Sequence, residues 1–280
     1  MDPSTVAGIK ILEDLEKEIE NTQVVAPVGG SGSRMIPPQI VDYIVEKYGK
    51  RGLEKLYTPK PLLKLKGRPL LEYFIELFKG CGFEEFVFLI GRGGEKIKEL
   101  VGDGRLYGIN VRYSKDPKVP KVGKGKAIKN AILNGKIDIN KRSIVGFPDD
   151  IILYLFAPLE LLARHLYYRE HKNIAATILL SPSFKSPYGV VDIENFYVKK
   201  FVEKPSINLY VNTGIVVLEP EVYTYATKLI DINSSTSIEI EDAVYPALAK
   251  EGKVAYHVLP PNSWFPVNTY KDLKKLEGLL

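Results

Sequence analysis

The strongest constraint on the fold is the run Val24-Val25-Ala26-Pro27-Val28-Gly29-Gly30-Ser31-Gly32-Ser33-Arg34-Met35. Its apolar, largely β-branched first half has the composition of a buried strand. The strand must stop at Gly29, because Gly-Gly-Ser-Gly has nothing to pack and carries the backbone freedom of a tight turn. The N–H groups of such a turn can point inward at an anion. Arg34 follows at once, with a permanent charge and a planar fork of donors suited to phosphate. Two other phosphate loops are excluded. The G-x-G-x-x-G spacing of dinucleotide-binding proteins is missing, and no acid ends a second strand about 20 residues on. No Gly-Lys-Ser/Thr closes the run, as a P-loop requires.

The flanking chain points to the same class. Residues 4–21 carry Val6, Ile9, Leu12, Leu15 and Ile19 at helical spacing, which predicts an amphipathic helix ahead of the first strand. Residues 70–79 read as a helix, 85–90 as a buried strand, 95–101 as a helix and 109–113 as a strand. This alternation predicts βαβ crossovers and a mostly parallel sheet, with ligands beyond the carboxyl ends of its strands. Between Met35 and Pro59, Ile40, Val41, Ile44, Val45 and Tyr48 predict a further helix ending at Gly49. Its basic tail of Lys47, Lys50 and Arg51 reads as a solvated face rather than a lid over the phosphates.

Composition removes several classes of function. The single Cys81 forbids an intramolecular disulfide, and three His beside it leave no set for structural zinc. A net charge of +5 is too small to argue for nucleic acid, yet it suits a protein that handles polyphosphates. No stretch approaches the roughly 20 apolar residues of a membrane span, and there is no signal-peptide core, so a cytoplasmic location is expected. Many Lys, Glu, Tyr and Ile beside few Cys and Met hint at a thermophile.

Further patterns along the chain carry chemistry. Pro59-Lys60-Pro61-Leu62-Leu63 is followed by Gly67-Arg68-Pro69-Leu70-Leu71. Gly123-Lys124-Gly125-Lys126-Ala127-Ile128 opens a helix, where glycines admit a ligand and the helix start supplies N–H donors. Residues 143–152 read as a strand ending in Asp149 and Asp150. Adjacent acids at the mouth of an apolar strand repel each other unless a cation sits there. Mg²⁺ favours such a place, shared with substrate phosphate oxygens, and an acidic turn capping the next helix is the alternative. Last come Tyr188-Gly189-Val190-Val191, Glu203-Lys204-Pro205 and Asn212-Thr213-Gly214, and then Asn268 ahead of a final helix, which it either caps or leaves free to bind metal.

In this order the motifs resemble the sugar-1-phosphate nucleotidylyltransferases, over nearly the whole chain from Val24, and most of all UTP–glucose-1-phosphate uridylyltransferases. The resemblance implies an α/β fold, a Rossmann-like, mostly parallel sheet flanked by helices, of the nucleotide-diphospho-sugar transferase type. It implies a helical extension (1–22) and one domain (23–280), with a nucleotide half to about 150 and a sugar-phosphate half beyond. Arg34, Lys60 and Asp149 would be catalytic. Val28, Gly29, Gly30, Ser31, Gly32, Ser33, Gly123, Gly125, Lys126 and Ala127 would bind the nucleotide. Asp150, Tyr188, Gly189, Glu203, Lys204, Asn212, Thr213 and Gly214 would bind the sugar phosphate. Asp149 and Asn268 would hold Mg²⁺, Asn268 standing where many members have an aspartate.

The expected partners are an NTP and a sugar 1-phosphate, best UTP and glucose 1-phosphate, with a second copy of the chain in a dimer or tetramer. The glutamine that reads the pyrimidine edge in the family is missing, with Ser114-Lys115-Asp116 nearby, so the base stays open. Thymidylyl and guanylyl transfer remain alternatives, as do a non-catalytic nucleotide-sugar-binding homologue and a dehydrogenase. The residues themselves agree with phosphoryl chemistry: cations, N–H-rich loops and a carboxylate pair, without a nucleophile in any motif. Such a set suits direct in-line attack of one phosphate on another.

Overall fold

The structure, a computed structural model, describes residues 14–29, 38–56 and 58–279. The first half runs α1 (residues 14–20), β1 (Thr22–Pro27), α2 (Pro38–Leu56), β2 (Lys64–Leu65), β3 (Arg68–Pro69), α3 (Leu70–Lys79), β4 (Glu85–Ile90), α4 (Gly94–Val101), β5 (Asn110–Lys115), α5 (Gly123–Leu133), β6 (Arg142–Val145) and β7 (Asp150–Ile152). The second half holds α6 (Ala157–Lys172), β8 (Ala176–Ser181), β9 (Phe184–Lys185), β10 (Val190–Glu194), β11 (Tyr197–Val202), β12 (Ser206–Ile207), β13 (Val211–Leu218) and α7 (Glu221–Leu229). It ends with α8 (Ile240–Ala243), α9 (Tyr245–Lys250), β14 (Val254–Val258), β15 (Trp264–Pro266) and α10 (Tyr270–Glu277).

Seven strands form the central sheet in the order β14-β8-β13-β6-β1-β4-β5. β1 is flanked in parallel by β6 and β4, β5 follows β4 in parallel, and β14 is parallel to β8. Among these seven, β13 alone runs antiparallel, to both β6 and β8. The fold is the mostly parallel α/β sheet that the alternating pattern predicts.

The strict period of two along each strand sorts side chains to opposite faces. Val24, Ala26, Phe86, Phe88, Ile144, Ile215 and Val217 enter one core with Phe74 and Phe78 of α3 and Leu161 and Leu162 of α6. Val25, Val87, Leu89, Val145, Val216 and Leu218 enter the other, with Ile128 of α5 and Val222 of α7. A third, small cluster of Leu65, Leu70, Ile151, Val267, Leu273 and Leu276 draws β2, α3, β7 and α10 together. It lies beneath the carboxylate pair and fixes the pieces on which that pair depends.

Two elements depart from expectation. Residues 143–152 are not one strand: the ladder stops at Val145, and Asp150 begins β7 after a turn in which the Asp150 N–H donates to the Phe147 carbonyl at 3.2 Å. Pro148 in that turn has no N–H to give a ladder. The predicted helix after Met35 does form, and it breaks at Gly49, whose φ is 65°. Its apolar side chains Ile40, Tyr43, Val45 and Tyr48 stay substantially exposed. Of the first helix, Ile19 packs against the core, and Glu18 accepts a hydrogen bond from Arg142 at 2.7 Å.

Candidate active site

Lys60, Asp149 and Asn268 meet at the carboxyl end of the sheet, although 208 residues separate the first from the last. The Lys60 ammonium donates to Asp149 Oδ2 at 3.1 Å and to Asn268 Oδ1 at 3.4 Å. Each partner is held by its backbone. Lys60 opens a single helical turn between Pro59 and Pro61, both buried, so its direction is set by fixed proline torsions. Asp149 offers its carbonyl to the Val267 N–H at 3.2 Å, just ahead of the antiparallel pairing of β7 with β15.

Asn268 does not cap the last helix. Thr269 takes that place, its side chain accepting from the Asp272 N–H while Asp272 accepts from the Thr269 N–H, a reciprocal capping box. The Asn268 amide side chain is thereby left pointing at Lys60. A carboxylate oxygen and an amide oxygen thus converge on one cation, and the same pair fits a hard divalent ion that completes its shell with water and phosphate oxygens. Among the described residues no group of three or more His, Cys, Asp or Glu could hold a metal without such help.

Asp150 behaves differently from its neighbour. The Trp264 indole donates to its Oδ2 at 3.0 Å. Burial first, and then the charge of Asp149, push its carboxyl up to about 7. Asp149 is the acid that faces the Lys60 ammonium.

On the nucleotide side the structure changes several roles. Gly30, Ser31, Gly32, Ser33 and Arg34 lie outside the described residues. The Val28 and Gly29 N–H groups both donate to the Leu89 carbonyl, at 2.9 and 3.2 Å, so they join β1 to β4 rather than facing a ligand. In the second glycine turn, the Gly125 N–H donates to the Ile238 carbonyl at 2.9 Å and the Lys124 N–H to Glu239 at 3.0 Å. A side chain on Gly123 or Gly125 would strike the backbone of Ile238. The close approach that these glycines permit is to the chain itself.

Lys126 was expected to reach the nucleotide, but it is fully buried and donates to the carbonyls of Lys121 and Ser234 at 2.9 and 2.6 Å. Ala127 is packed in the core beside it. The lysine that turns toward the site is Lys124. Its ammonium lies 4.3 Å from the centre of the Phe147 ring and pairs with Glu239 and Glu241. Asp116 is a second residue of this end of the sheet. Its carboxylate rests against the backbone of Gly29 and Gly91, and burial raises its pKa.

Of the residues expected to hold the sugar phosphate, Gly214 is the one that touches the acidic loop. Gly214, with φ of 84°, lies so close to the Phe147 ring that any side chain there would collide with it. Phe147 thus joins β13 to Lys124 and to the loop bearing Asp149. The Asn212 side chain accepts from the Gly214 N–H at 2.8 Å and holds that turn. Thr213 is turned away: its hydroxyl donates to the Leu179 carbonyl at 2.8 Å, inside the sheet. Gly189 lies beside Phe201 and Glu203. Lys204 takes a left-handed φ of 47° ahead of Pro205 and pairs with Glu203 at 3.4 Å. Tyr188, Glu203 and Lys204 are all well exposed.

Sequence reasoning missed Lys124, Trp264 and Asp116. Lys124 shares its motif with Lys126, and only the helix phase tells them apart. Trp264 and Asp116 lie beside motifs rather than within them.

The family model for nucleotidyl transferases matches residues 53–278. The chain belongs to that family. Its first strand and glycine loop precede the matched segment. Among relatives, a probable glucose-1-phosphate cytidylyltransferase of Bacillus subtilis is 29% identical over 79% of this chain and 87% of its own length. A UTP–glucose-1-phosphate uridylyltransferase of Synechocystis is 27% identical over 79% of this chain, which spans 58% of that longer protein. A probable mannose-1-phosphate guanylyltransferase of rice is 28% identical over 88% of this chain and 61% of its own length. A solved structure of a putative glucose-1-phosphate thymidylyltransferase from Bacillus anthracis superimposes with a TM-score of 0.65 at 21% identity, covering 92% of this chain and 94% of that one. The family is therefore that of the sugar-1-phosphate nucleotidylyltransferases, as the motifs imply, and the relatives differ among themselves in base and sugar.

Proposed function

We propose that this member of the family transfers a nucleotidyl group from an NTP to a sugar 1-phosphate, with UTP and glucose 1-phosphate as the first-choice pair. The observation that carries the proposal is the convergence of Lys60, Asp149 and Asn268 on one point at the mouth of the sheet. In the reaction an oxygen of the sugar 1-phosphate attacks the α-phosphorus, the bond from that phosphorus to the β-phosphate oxygen breaks, and pyrophosphate leaves. Lys60 stabilises charge as it gathers on the α-phosphate oxygens, which is where a fixed cation lowers the barrier. Lys204 and Glu203 hold the sugar phosphate and the sugar hydroxyls. Mg²⁺, on Asp149 and Asn268, would neutralise the phosphate oxygens that the two substrates bring together.

Asp116 supports a second reading of the base. An ionised carboxylate only accepts hydrogen bonds. At the carboxyl end of β5 it admits cytosine, through the exocyclic amino group, beside uracil, through N3–H. Relatives named as cytidylyltransferases point the same way. Pyrophosphate release by the purified protein, with each of the four NTPs and several sugar 1-phosphates, tests both readings. Turnover with UTP and glucose 1-phosphate above all others supports the first. A preference for CTP that falls in Asp116→Asn supports the second. No turnover with any pair rejects the reaction.

A further inference from the structure

Lys124 is a firmly held cation at the site to which the motifs give no role. Its N–H donates to Glu239 at 3.0 Å, and its ammonium pairs with Glu239 at 3.8 Å and with Glu241. The same ammonium lies 4.3 Å from the centre of the Phe147 ring, where the negative face of the ring draws it. Phe147 carries the contact onward in two directions. Its loop bears Asp149 two residues later, and a Cβ on Gly214 would strike the ring itself. Burial and the charge of Asp149 raise the Asp150 carboxyl, and Trp264, Lys60 and Lys124 act against them. Lys124 therefore stands where the glycine turn, the acidic loop and the turn of Asn212, Thr213 and Gly214 come together.

The surroundings of this ammonium determine what it can bind. Glu239 and Glu241 face it as two carboxylates against one cation, and the acidic loop begins just beyond the ring. A phosphate placed here would meet more negative charge than positive. A neutral polyhydroxyl ligand fits, since a hydroxyl both donates and accepts, whereas a carboxylate only accepts and an ammonium only donates. Glu239 is already engaged, by the Lys124 N–H and by the Ser237 hydroxyl at 3.1 Å. Glu241 has capacity to spare: one oxygen takes the Lys124 ammonium, and the other is buried without a partner. An acceptor left in that state is costly, so a ligand donor that engages this carboxylate gains more than a hydrogen bond traded with water. The ring contact to Gly214 points to the hexose, because that turn is the one expected to hold the sugar phosphate.

We propose that Lys124 and Glu241 are specificity-determining residues for the sugar: beside Phe147 they hydrogen-bond hydroxyls of the hexose, Lys124 donating and Glu241 accepting. The pair complements Glu203 and Lys204, which are well exposed and held chiefly by each other. A site built to bond a hydroxyl rejects an analogue that lacks it, because its own polar groups are then left unpaired. That the ligand is a sugar 1-phosphate rests on the reaction proposed above; that the pair reads its hydroxyls can be measured by binding alone.

Isothermal titration calorimetry, with Mg²⁺ and the uncleavable α,β-methylene analogue of UTP or CTP present, gives the affinity for glucose 1-phosphate and for monodeoxy analogues that each lack one hydroxyl. Wild type should bind at least one analogue about tenfold more weakly than glucose 1-phosphate. In Lys124→Met and in Glu241→Leu that gap should close to within about threefold, with nucleotide affinity unchanged. Lys124→Arg and Glu241→Gln, which keep a donor and an acceptor, should restore most of it, and circular dichroism verifies that each variant is folded. The same gap in wild type and in both apolar variants would overturn the proposal, as would wild-type binding indifferent to every missing hydroxyl. So would a gap between ribonucleotide and 2′-deoxyribonucleotide analogues that closes in the same variants, which would assign the pair to the ribose. Hydroxyl discrimination without any pyrophosphate release would reject the reaction and leave the pair standing. Turnover with the gap unmoved would do the reverse, and no binding of any sugar 1-phosphate would reject both.

Discussion

In the proposed reaction Asp149 and Lys60 carry the charge stabilisation, and changing each should fail in a different way. Asp149→Asn keeps the size and most hydrogen-bonding capacity of the side chain while removing its charge, so the fold should persist. Charge stabilisation of several kcal/mol is lost from the transition state, and kcat should fall by about a hundredfold or more. Initial rates with saturating substrates measure this, and a rate within a few-fold of wild type would remove Asp149 from the cation site. Lys60→Ala and Lys204→Ala should divide between the two kinetic constants. The α-phosphate gains charge only in the transition state, so Lys60→Ala lowers kcat. The sugar phosphate is charged before reaction, so Lys204→Ala mainly raises its KM. Equal losses in the same constant would show that the roles are not separate. The sequence singled out Lys60, Asp149 and Asn268 through the order of their motifs, while a capping role stayed open for Asp149 and Asn268 until the structure brought the three side chains together. Lys124 was not, because Gly-Lys-Gly-Lys offers two lysines, and only helix phase decides that Lys126 turns in to the Lys121 and Ser234 carbonyls.

At the scale of elements, the alternation that defines β1, β4 and α3 could be read directly, because each buries a face and the period of burial is written in the side chains. The turn between β6 and β7 could not. Phe147 and the two aspartates form a continuous run after an apolar strand, and the break is set by packing against Gly214, which lies far off in sequence. That packing is testable. Gly214→Ala places a side chain on a residue at φ of 84° and into the Phe147 ring. Left-handed strain alone costs about 1–2 kcal/mol. The variant should melt several degrees lower, and its activity should fall more than its stability explains, because Phe147 carries the loop of Asp149. A variant equal to wild type in melting temperature and rate would show that β13 and the acidic loop move independently.

For the molecule as a whole, the joint between α1, β6, α6 and the end of β13 sets acid stability. Arg142, His165 and Arg169 all reach Glu219, and the Thr177 hydroxyl bonds the other His165 ring nitrogen at 2.8 Å. Burial by itself would raise the Glu219 carboxyl, but His165 and Arg142 hold it down at about 2, against an ordinary 4.5. Its contribution, about 3 kcal/mol for such a shift, is present above pH 4.5 and lost as pH falls toward 2. His165 is depressed mainly by burial, so its contribution is present above pH 6.5 and also fades on acidification. The melting temperature should therefore decline steadily from neutral pH into acid. Glu219→Gln should melt lower at neutral pH and lose less on acidification. A parallel decline in both proteins would place the acid sensitivity elsewhere. No sequence pattern announced this joint, because its members come from separate elements with no common motif.

The indole that bonds Asp150 belongs to Trp264, the single tryptophan of the chain. Emission excited at the red edge, where tyrosine does not absorb, therefore comes from the site alone. The protein carries its own optical reporter beside the carboxylates. Adding Mg²⁺ with an NTP should change the intensity or the maximum of that emission, and in Asp149→Asn the change should be blunted. A stopped-flow trace of the signal would then time substrate arrival separately from pyrophosphate release, with no label attached. An emission spectrum indifferent to both additions would mean that the cation and nucleotide settle away from the β7–β15 pair.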